Sequence, residues 1–226
     1  MNPIKDEKLF FSPYYDEIAV NEVIQAPRDR GEFVMATDNH ILIKVDKSLL
    51  KGEYQKAKKP NLAPIIENGN IRLTLAQLEE ALSKCPQEEE EEEVAPAIPC
   101  RHCDGKGMVE WEFEDKDLHT HYQTDECPLC KGSGNEREAI VRKTGRSFPE
   151  YNIPILIDGV ILNAYYIGAI VETMKQLGIS EIRHTGIYKD AIPNVFRIAE
   201  GITVILMPMM SYGDYVTSIK GEEVKQ

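Results

Sequence analysis

The pattern C-x-x-C-x-G-x-G occurs twice, as CRHCDGKG at 100–107 and as CPLCKGSG at 127–134. Two cysteines at this spacing present both thiolates from one tight turn, and two such turns supply the four corners of a tetrahedron. Zinc held by four thiolates at about 2.3 Å keeps no open position, so the pattern predicts a structural metal and not a catalytic one. The expected cofactor is one Zn²⁺ bound by Cys100, Cys103, Cys127 and Cys130. The glycines give the backbone the freedom it needs where the chain folds back beside the metal. Pro128 fixes one more dihedral in the second turn. A redox-active pair would sit singly at a helix N-terminus after a strand, and two glycine-rich copies lack that setting. Cys85 stands outside the repeats, near the end of a helical pattern, and reads as a small apolar residue.

The 23 residues between Cys103 and Cys127 suit a hairpin arm. Within MVEWEFED, Val109, Trp111 and Phe113 alternate with Glu110, Glu112 and Glu114, which is strand periodicity. His102, His119 and His121 also lie in this region. With four thiolates already present they read as solvent-facing, and histidine ligation is the minor alternative. From Cys100 to Gly134 four Lys/Arg face eight Asp/Glu, a poor composition for binding phosphates. Such an acidic arm suits protein docking or a charged spacer.

Half of the net charge of −12 resides in Glu88–Glu93, six adjacent carboxylates between Pro86 and Pro96. A block of like charges repels itself, so 87–99 is expected to be an acidic disordered linker. Positive charge gathers in two places. Lys44, Lys47, Lys51, Lys56, Lys58 and Lys59 face only Asp46 and Glu53, and Arg137, Arg142, Lys143 and Arg146 face only Glu138. These are the candidate contacts for duplex DNA, and solvated loops without a partner are the plainer reading. No apolar run reaches membrane-spanning length, and MNPIKDEKLF lacks the apolar stretch of a signal peptide. A cytoplasmic protein with no membrane partner is expected. Neither a phosphate loop nor a dinucleotide fingerprint is found, and no enzymatic activity is expected.

Patterns of an ordinary globular domain run on both sides of the repeats. YDEIAVNEVIQAP and GEFVMATDNHILIKVD read as strand-like runs separated by the break PRDRG. In the corner TDNH, Asp38 is expected to accept backbone N–H bonds and Asn39 to take positive φ, so Asp38 and His40 are not read as catalytic. Asp158-Gly159 is likewise read as a turn. Thr74 caps a short helix with Gln77 at its third following position, and Leu75, Leu78 and Leu82 recur at helical spacing. EAIVRKTGR reads as strand and turn. Asn163 and Gly178 bound a second helix whose stripe is Leu162, Tyr166, Ile170, Met174 and Leu177. Three strand-like pieces follow, SEIRHTGIY, NVFRIA and ITVILMPMM, the last two joined at Glu200-Gly201. Helices against one face of an antiparallel sheet make an α+β arrangement.

The repeats resemble the cysteine-rich zinc domain of DnaJ co-chaperones, which usually has four copies and two zinc sites. Two copies imply one site, and the J-domain His-Pro-Asp motif does not occur in the chain. A second resemblance lies in the flanks. ATDNH at 36–40 looks like the Ala-Thr-Asp-Gly-His corner of bacterial sliding clamps, the β subunit of DNA polymerase III. The block from Leu162 to Met210 is similar to the last helix and strands of those clamps, with Met207, Pro208 and Met209 on the terminal Met-Pro motif. Met210 and Ile41 stand where the family has arginine, and Asn39 where it has glycine.

The resemblance implies a sliding-clamp-like α+β domain split into 1–86 and 135–226, with the linker at 87–99 and an inserted zinc finger at 100–134. It further implies a non-enzymatic replication accessory protein that binds protein partners and duplex DNA, with Met207, Pro208 and Met209 in a cleft for short peptides. A one-domain chain would close a ring only as a homo-oligomer. The alternative is a zinc-stabilised protein-binding adaptor without a nucleic-acid role. A thiol–disulfide or chaperone-like protein is the remaining reading.

Overall fold

The computed structural model describes residues 9–11, 14, 26–57, 67–188, 192–210 and 214–224, with the side chain of residue 146 outside the description. The chain forms two compact units, Met1–Glu88 with Phe148–Gln226, and Glu89–Ser147. In chain order the elements are β1 (Arg28–Asp29), β2 (Phe33–Thr37), β3 (Ile41–Asp46), β4 (Ile71–Thr74) and α1 (Leu75–Leu82). The chain then enters β5 (Gln87–Ala95), followed by β6 (Ile98–Pro99), β7 (Met108–Glu114), β8 (Thr120–Glu126), β9 (Asn135–Arg137) and β10 (Ile140–Pro149). The first unit resumes with β11 (Pro154–Ile157), β12 (Val160–Asn163), α2 (Ala164–Leu177) and β13 (Glu181–Gly186). It ends with β14 (Asn194–Ala199), β15 (Ile202–Leu206), β16 (Ser218–Ile219) and β17 (Glu222–Glu223).

In the first unit eight strands form one sheet in the order β1-β2-β3-β15-β14-β13-β4-β17, every neighbouring pair antiparallel. A second sheet, β12-β11-β16, has one antiparallel and one parallel pairing. Strict alternation of buried and half-buried residues along β15 (ITVIL) and β11 (PILI) buries one face of each. Two helices complete the α+β unit, and each begins directly at the end of a strand. Thr74 closes β4 and caps α1. Its Oγ1 accepts the Gln77 N–H at 3.2 Å, and its own N–H donates to Gln77 Oε1 at 2.9 Å. Asn163 closes β12 and caps α2 through its Oδ1, which accepts the Tyr165 N–H at 3.1 Å. Gly178 ends α2 in the left-handed region at φ +68°. Nine of the fourteen residues of α2 are buried, and Lys175 Nζ reaches Glu79 of α1 at 2.8 Å.

A buried polar cluster ties the two sheets together. His184 on β13 is fully buried, with Nδ1 3.0 Å from Asp158 Oδ2 and Nε2 3.2 Å from Asn194 Oδ1 on β14. Its ring stacks on Phe196 at 4.4 Å, and Asp158 Oδ1 accepts the Gly221 N–H at 2.9 Å. Asp158 occupies the β11–β12 turn at φ +50°, as a turn residue should.

The acidic segment corrects the sequence reading. Residues 87–95 are not a disordered linker but strand β5, paired with β10. Arg142 Nε donates to Glu92 Oε1 at 2.8 Å, Lys143 Nζ to Glu89 Oε2 at 2.5 Å, and Thr144 Oγ1 to Glu90 Oε2 at 2.6 Å. The alternation of a strand sends adjacent glutamates to opposite faces, and the basic strand about fifty residues later offsets their repulsion. The inserted unit therefore spans 89–147 and includes most of β10, which the sequence reading had assigned to the flanking domain.

At the sheet edge, Asp29 is buried between Lys47 Nζ at 2.5 Å and the Gly31 N–H at 2.7 Å. The Lys47 ammonium, and after it the Gly31 N–H, hold its carboxyl below the ordinary carboxylate value. A lowered carboxyl contributes stability above its unfolded value, and that contribution is lost as pH falls through the lowered value. Asp29→Asn should accordingly lower the melting temperature at neutral pH and make less difference in acid. Equal losses at both pH values would contradict this.

Candidate functional site

The two repeats meet in the second unit. The four Sγ atoms of Cys100, Cys103, Cys127 and Cys130 all lie within 4.8 Å of one another. Across the repeats, Cys100 Sγ is 3.9 Å from Cys127 Sγ, and Cys103 Sγ is 3.7 Å from Cys130 Sγ. A tetrahedron with metal–sulfur bonds of about 2.3 Å has edges of about 3.8 Å, so the donor set fits a closed four-thiolate ion site. None of the five cysteines forms a disulfide. Cys100, Cys103 and Cys127 are buried, Cys130 is half-buried, and Val109 at the root of the hairpin packs on them.

The backbone around the sulfurs repeats with local two-fold symmetry. Cys100 N–H donates to the Gly134 carbonyl at 2.7 Å, and Cys127 N–H to the Gly107 carbonyl at 2.8 Å. Lys106 N–H reaches the Cys103 carbonyl at 2.9 Å, and Ser133 N–H reaches the Cys130 carbonyl at 3.2 Å. The last glycine of each repeat lies against the other repeat. A Cβ on Gly107 would stand 2.3 Å from the Gly132 carbonyl oxygen, and one on Gly134 would stand 2.5 Å from that of Gly105. Both also have positive φ, +73° and +78°. This clasp is the physical reason for glycine at the eighth position of the pattern.

Burial pushes the Cys103 thiol up to about 11, against the Gly107 N–H that donates to its sulfur at 3.2 Å. The Cys130 N–H draws the Cys127 thiol down to about 7, against burial. Cys100, Cys103, Cys127 and Cys130 would hold a metal as thiolates, so its binding would release the protons still on them. The histidines of the arm lie outside the sulfur cluster. His121 Nε2 is 2.9 Å from Asp115 Oδ2, and its ring stacks on Phe113.

The basic candidates fall in both units. Lys44 Nζ lies 4.5 Å above the Phe33 ring, Lys47 pairs with Asp29, and Lys56 bridges β1 through its backbone. Lys51 is exposed, while Lys58 and Lys59 lie outside the described residues. In the second unit Arg137 sits in β9, and Arg142 and Lys143 are engaged by Glu92 and Glu89. The backbone of Arg146 lies in β10.

The TDNH corner takes the expected form in the first unit. Asp38 Oδ1 accepts the His40 and Ile41 N–H groups, each at 2.9 Å, and Asn39 has φ +80°. Against this corner lies the Met-Pro segment. Met207 N–H donates to the His40 carbonyl at 2.8 Å, and Met209 N–H to the Ile161 carbonyl at 2.9 Å. Met207, Pro208 and Met209 are half-buried, and Met210 is 83% exposed.

Sequence reasoning placed Tyr166 only in a core stripe. Its ring is buried, but its hydroxyl donates to Asp38 Oδ2 at 2.6 Å, and it stacks with His40. Burial, reinforced by Asp38, raises its phenol and keeps the donor protonated. Tyr151 and Tyr165 meet Tyr166 edge-on at 6.0 and 5.4 Å. Asp38 and Tyr166 stand 128 positions apart, so no local pattern could have revealed the pair. Among the described residues, no helix is long and apolar enough to cross a membrane.

No family model matches the chain, and no curated protein matches it. Similar solved structures include the Helicobacter pylori beta clamp bound to a DNA ligase peptide. Its TM-score is 0.44 at 12% identity, over 91% of this chain and 62% of that one. The Pseudomonas aeruginosa DNA polymerase sliding clamp with ligand gives 0.37 at 9% identity, over 82% of this chain and 57% of that one. The C. crescentus beta sliding clamp gives 0.34 at 11% identity, over 82% and 57%. The matches span about three-fifths of the length of those clamps. These three solved structures, to which the chain is similar, are bacterial sliding clamps.

Proposed function

We propose that this chain is a non-enzymatic, clamp-like protein that receives short peptides beside Met207–Met209 and carries an inserted unit closed by one structural zinc ion. The observation that carries the reading is the hydrogen bond from Met207 N–H to the His40 carbonyl at 2.8 Å. ATDNH and the Met-Pro segment, the two motifs with a clamp resemblance, lie far apart in the chain and meet in space. Half-buried methionines beside exposed His40 offer a soft apolar surface that adapts to several ligands. The peptide would come from replication proteins, as the resemblance implies.

Zinc is the ion that best suits four thiolates in a closed tetrahedron. Cys100, Cys103, Cys127 and Cys130 would hold it, and its chemistry there is to fix a shape. Such a set of free thiols belongs in a reducing compartment such as the cytoplasm. Protein partners are favoured over duplex DNA, because Lys47, Arg142 and Lys143 would have to leave carboxylates before meeting phosphates.

The test is the affinity of labelled short linear peptides with apolar anchor residues, measured by fluorescence anisotropy. Met209→Ala should weaken the tightest of them about tenfold, ~1.4 kcal/mol, with the melting temperature unchanged. Peptides that bind no better than a scrambled polar control, or binding indifferent to Met209, would refute the cleft.

A further inference from the structure

The hairpin of β7 and β8 carries an aromatic face that the fold of its own unit does not use. Opposed residues of an antiparallel pair share a face, as do residues two apart along a strand. The register pairs Val109 with Asp125, Trp111 with Gln123 and Phe113 with His121, so these six form one face. Val109 packs on the cysteine cluster. Beyond it Trp111 and Phe113 remain 50% and 51% exposed. Scattered exposed apolar residues are ordinary, but two adjacent aromatic rings on a two-stranded arm form a contiguous patch.

The charge around that patch has one sign. Between Met108 and Glu126 stand Glu110, Glu112, Glu114, Asp115, Asp117, Asp125 and Glu126, against Lys116 alone. Asp125 shares the aromatic face, and Glu110, Glu112, Glu114 and Glu126 alternate onto the opposite face of the two-stranded arm. All of the seven except half-buried Asp115 are exposed. Carboxylates repel phosphates, so neither nucleic acid nor an anionic membrane complements this arm. Cations complement both of its features. Guanidinium and ammonium groups are attracted to the faces of Trp and Phe, and arginine pairs with carboxylates through two parallel hydrogen bonds.

We propose that the β7–β8 arm is a docking surface for an extended, arginine- and lysine-rich segment of a partner protein. Apolar stems of that segment would lie on Trp111 and Phe113, and its charged heads would reach Asp125 on the same face and, round the edges of the narrow arm, the carboxylates of the opposite face. The cysteine cluster at the root of the arm, on which Val109 packs, ties this face to the rest of its unit. The surface lies in the second unit, separate from the Met207–Met209 segment of the first, so either can fail without the other.

Trp111 is the only tryptophan of the chain, and its emission reports on the face directly. The zinc-loaded full chain is titrated with a short peptide of alternating arginine and valine. The same peptide with glutamate in place of arginine, and a single-stranded DNA oligonucleotide, serve as controls. A saturable change in Trp111 emission with the arginine peptide alone is expected. Trp111→Ser with Phe113→Ser should weaken binding at least tenfold, read by anisotropy of the labelled peptide. Glu112→Lys with Asp125→Lys, which keeps the reporter and both rings, should do the same with metal content unchanged. Binding that survives either pair of substitutions would overturn the proposal. So would an equal response to the glutamate peptide or the oligonucleotide, or an emission change that follows protein concentration alone and marks the face as a self-association surface.

Discussion

Removing the metal, or replacing Cys103 by alanine, is expected to unfold the second unit and leave the first intact. The only hydrophobic cluster of the second unit among the described residues consists of Cys100, Cys103 and Cys127, with Val109 and Cys130 against it. Two-stranded hairpins on so small a core are marginal in water. The free energy of metal binding, about 10–16 kcal/mol apparent for comparable four-ligand zinc sites at neutral pH, is then the folding free energy of this unit. The core of the first unit is a separate cluster built on Ile155, Ile157, Leu162, Ile167, Ile170 and Phe196, and has none of the four clustered cysteines in it. Amide exchange before and after chelation measures both units at once. Protection should vanish from β6–β9 and persist in β13–β15. Unchanged protection around Cys100 and Cys127 in metal-free protein would show that the unit folds by its own packing.

The second large effect concerns the glycine clasp. Gly107→Ala must place a methyl group 2.3 Å from a backbone oxygen, where no side-chain movement can relieve the contact. Positive φ alone costs an alanine about 1–2 kcal/mol. Overpacking adds about 1–3 kcal/mol. Gly145 makes the control, since its φ is +78° but nothing lies within 4 Å of a Cβ built there. Gly145→Ala should therefore show the conformational cost alone, and Gly107→Ala that cost plus the clash. Zinc affinity read by competition with a chelator should fall for Gly107→Ala and stay near wild type for Gly145→Ala. Similar affinities for the two variants would mean that the repeats yield at the clasp and that the close approach is not what demands glycine.

What was legible in the sequence was local. The C-x-x-C-x-G-x-G spacing, the Thr74 and Asn163 caps, the Gly178 stop and the Asp38-Asn39 corner each depend on residues within a few positions of one another. The caps, the stop and the corner are each complete within a short window and the cysteine pattern within two copies of one, and the structure has each as expected. The acidic run failed for the opposite reason. Glu88–Glu93 reads as self-repelling until Arg142 and Lys143 of β10 are laid beside it, and no local window contains both. The same distance hid Tyr166 behind its helical spacing and His184 behind a strand pattern, although each makes its polar contact with an aspartate far away in sequence. Trp111 and Phe113 show a further limit. Their alternation correctly indicated a strand, yet periodicity carries no information on whether anything covers the apolar face.

The proposed peptide cleft is tested most directly by methyl NMR of protein labelled at methionine. Met207 N–H donates to the His40 carbonyl and Met209 N–H to the Ile161 carbonyl, while Met174 is buried in α2 and Met108 stands on the arm. Titration with the tightest short peptide should shift the methyl signals of Met207 and Met209 in a saturable way, and leave those of Met108 and Met174 in place. Saturable binding that moves Met108 and leaves Met207 and Met209 unmoved would contradict the assignment of peptide binding to this segment.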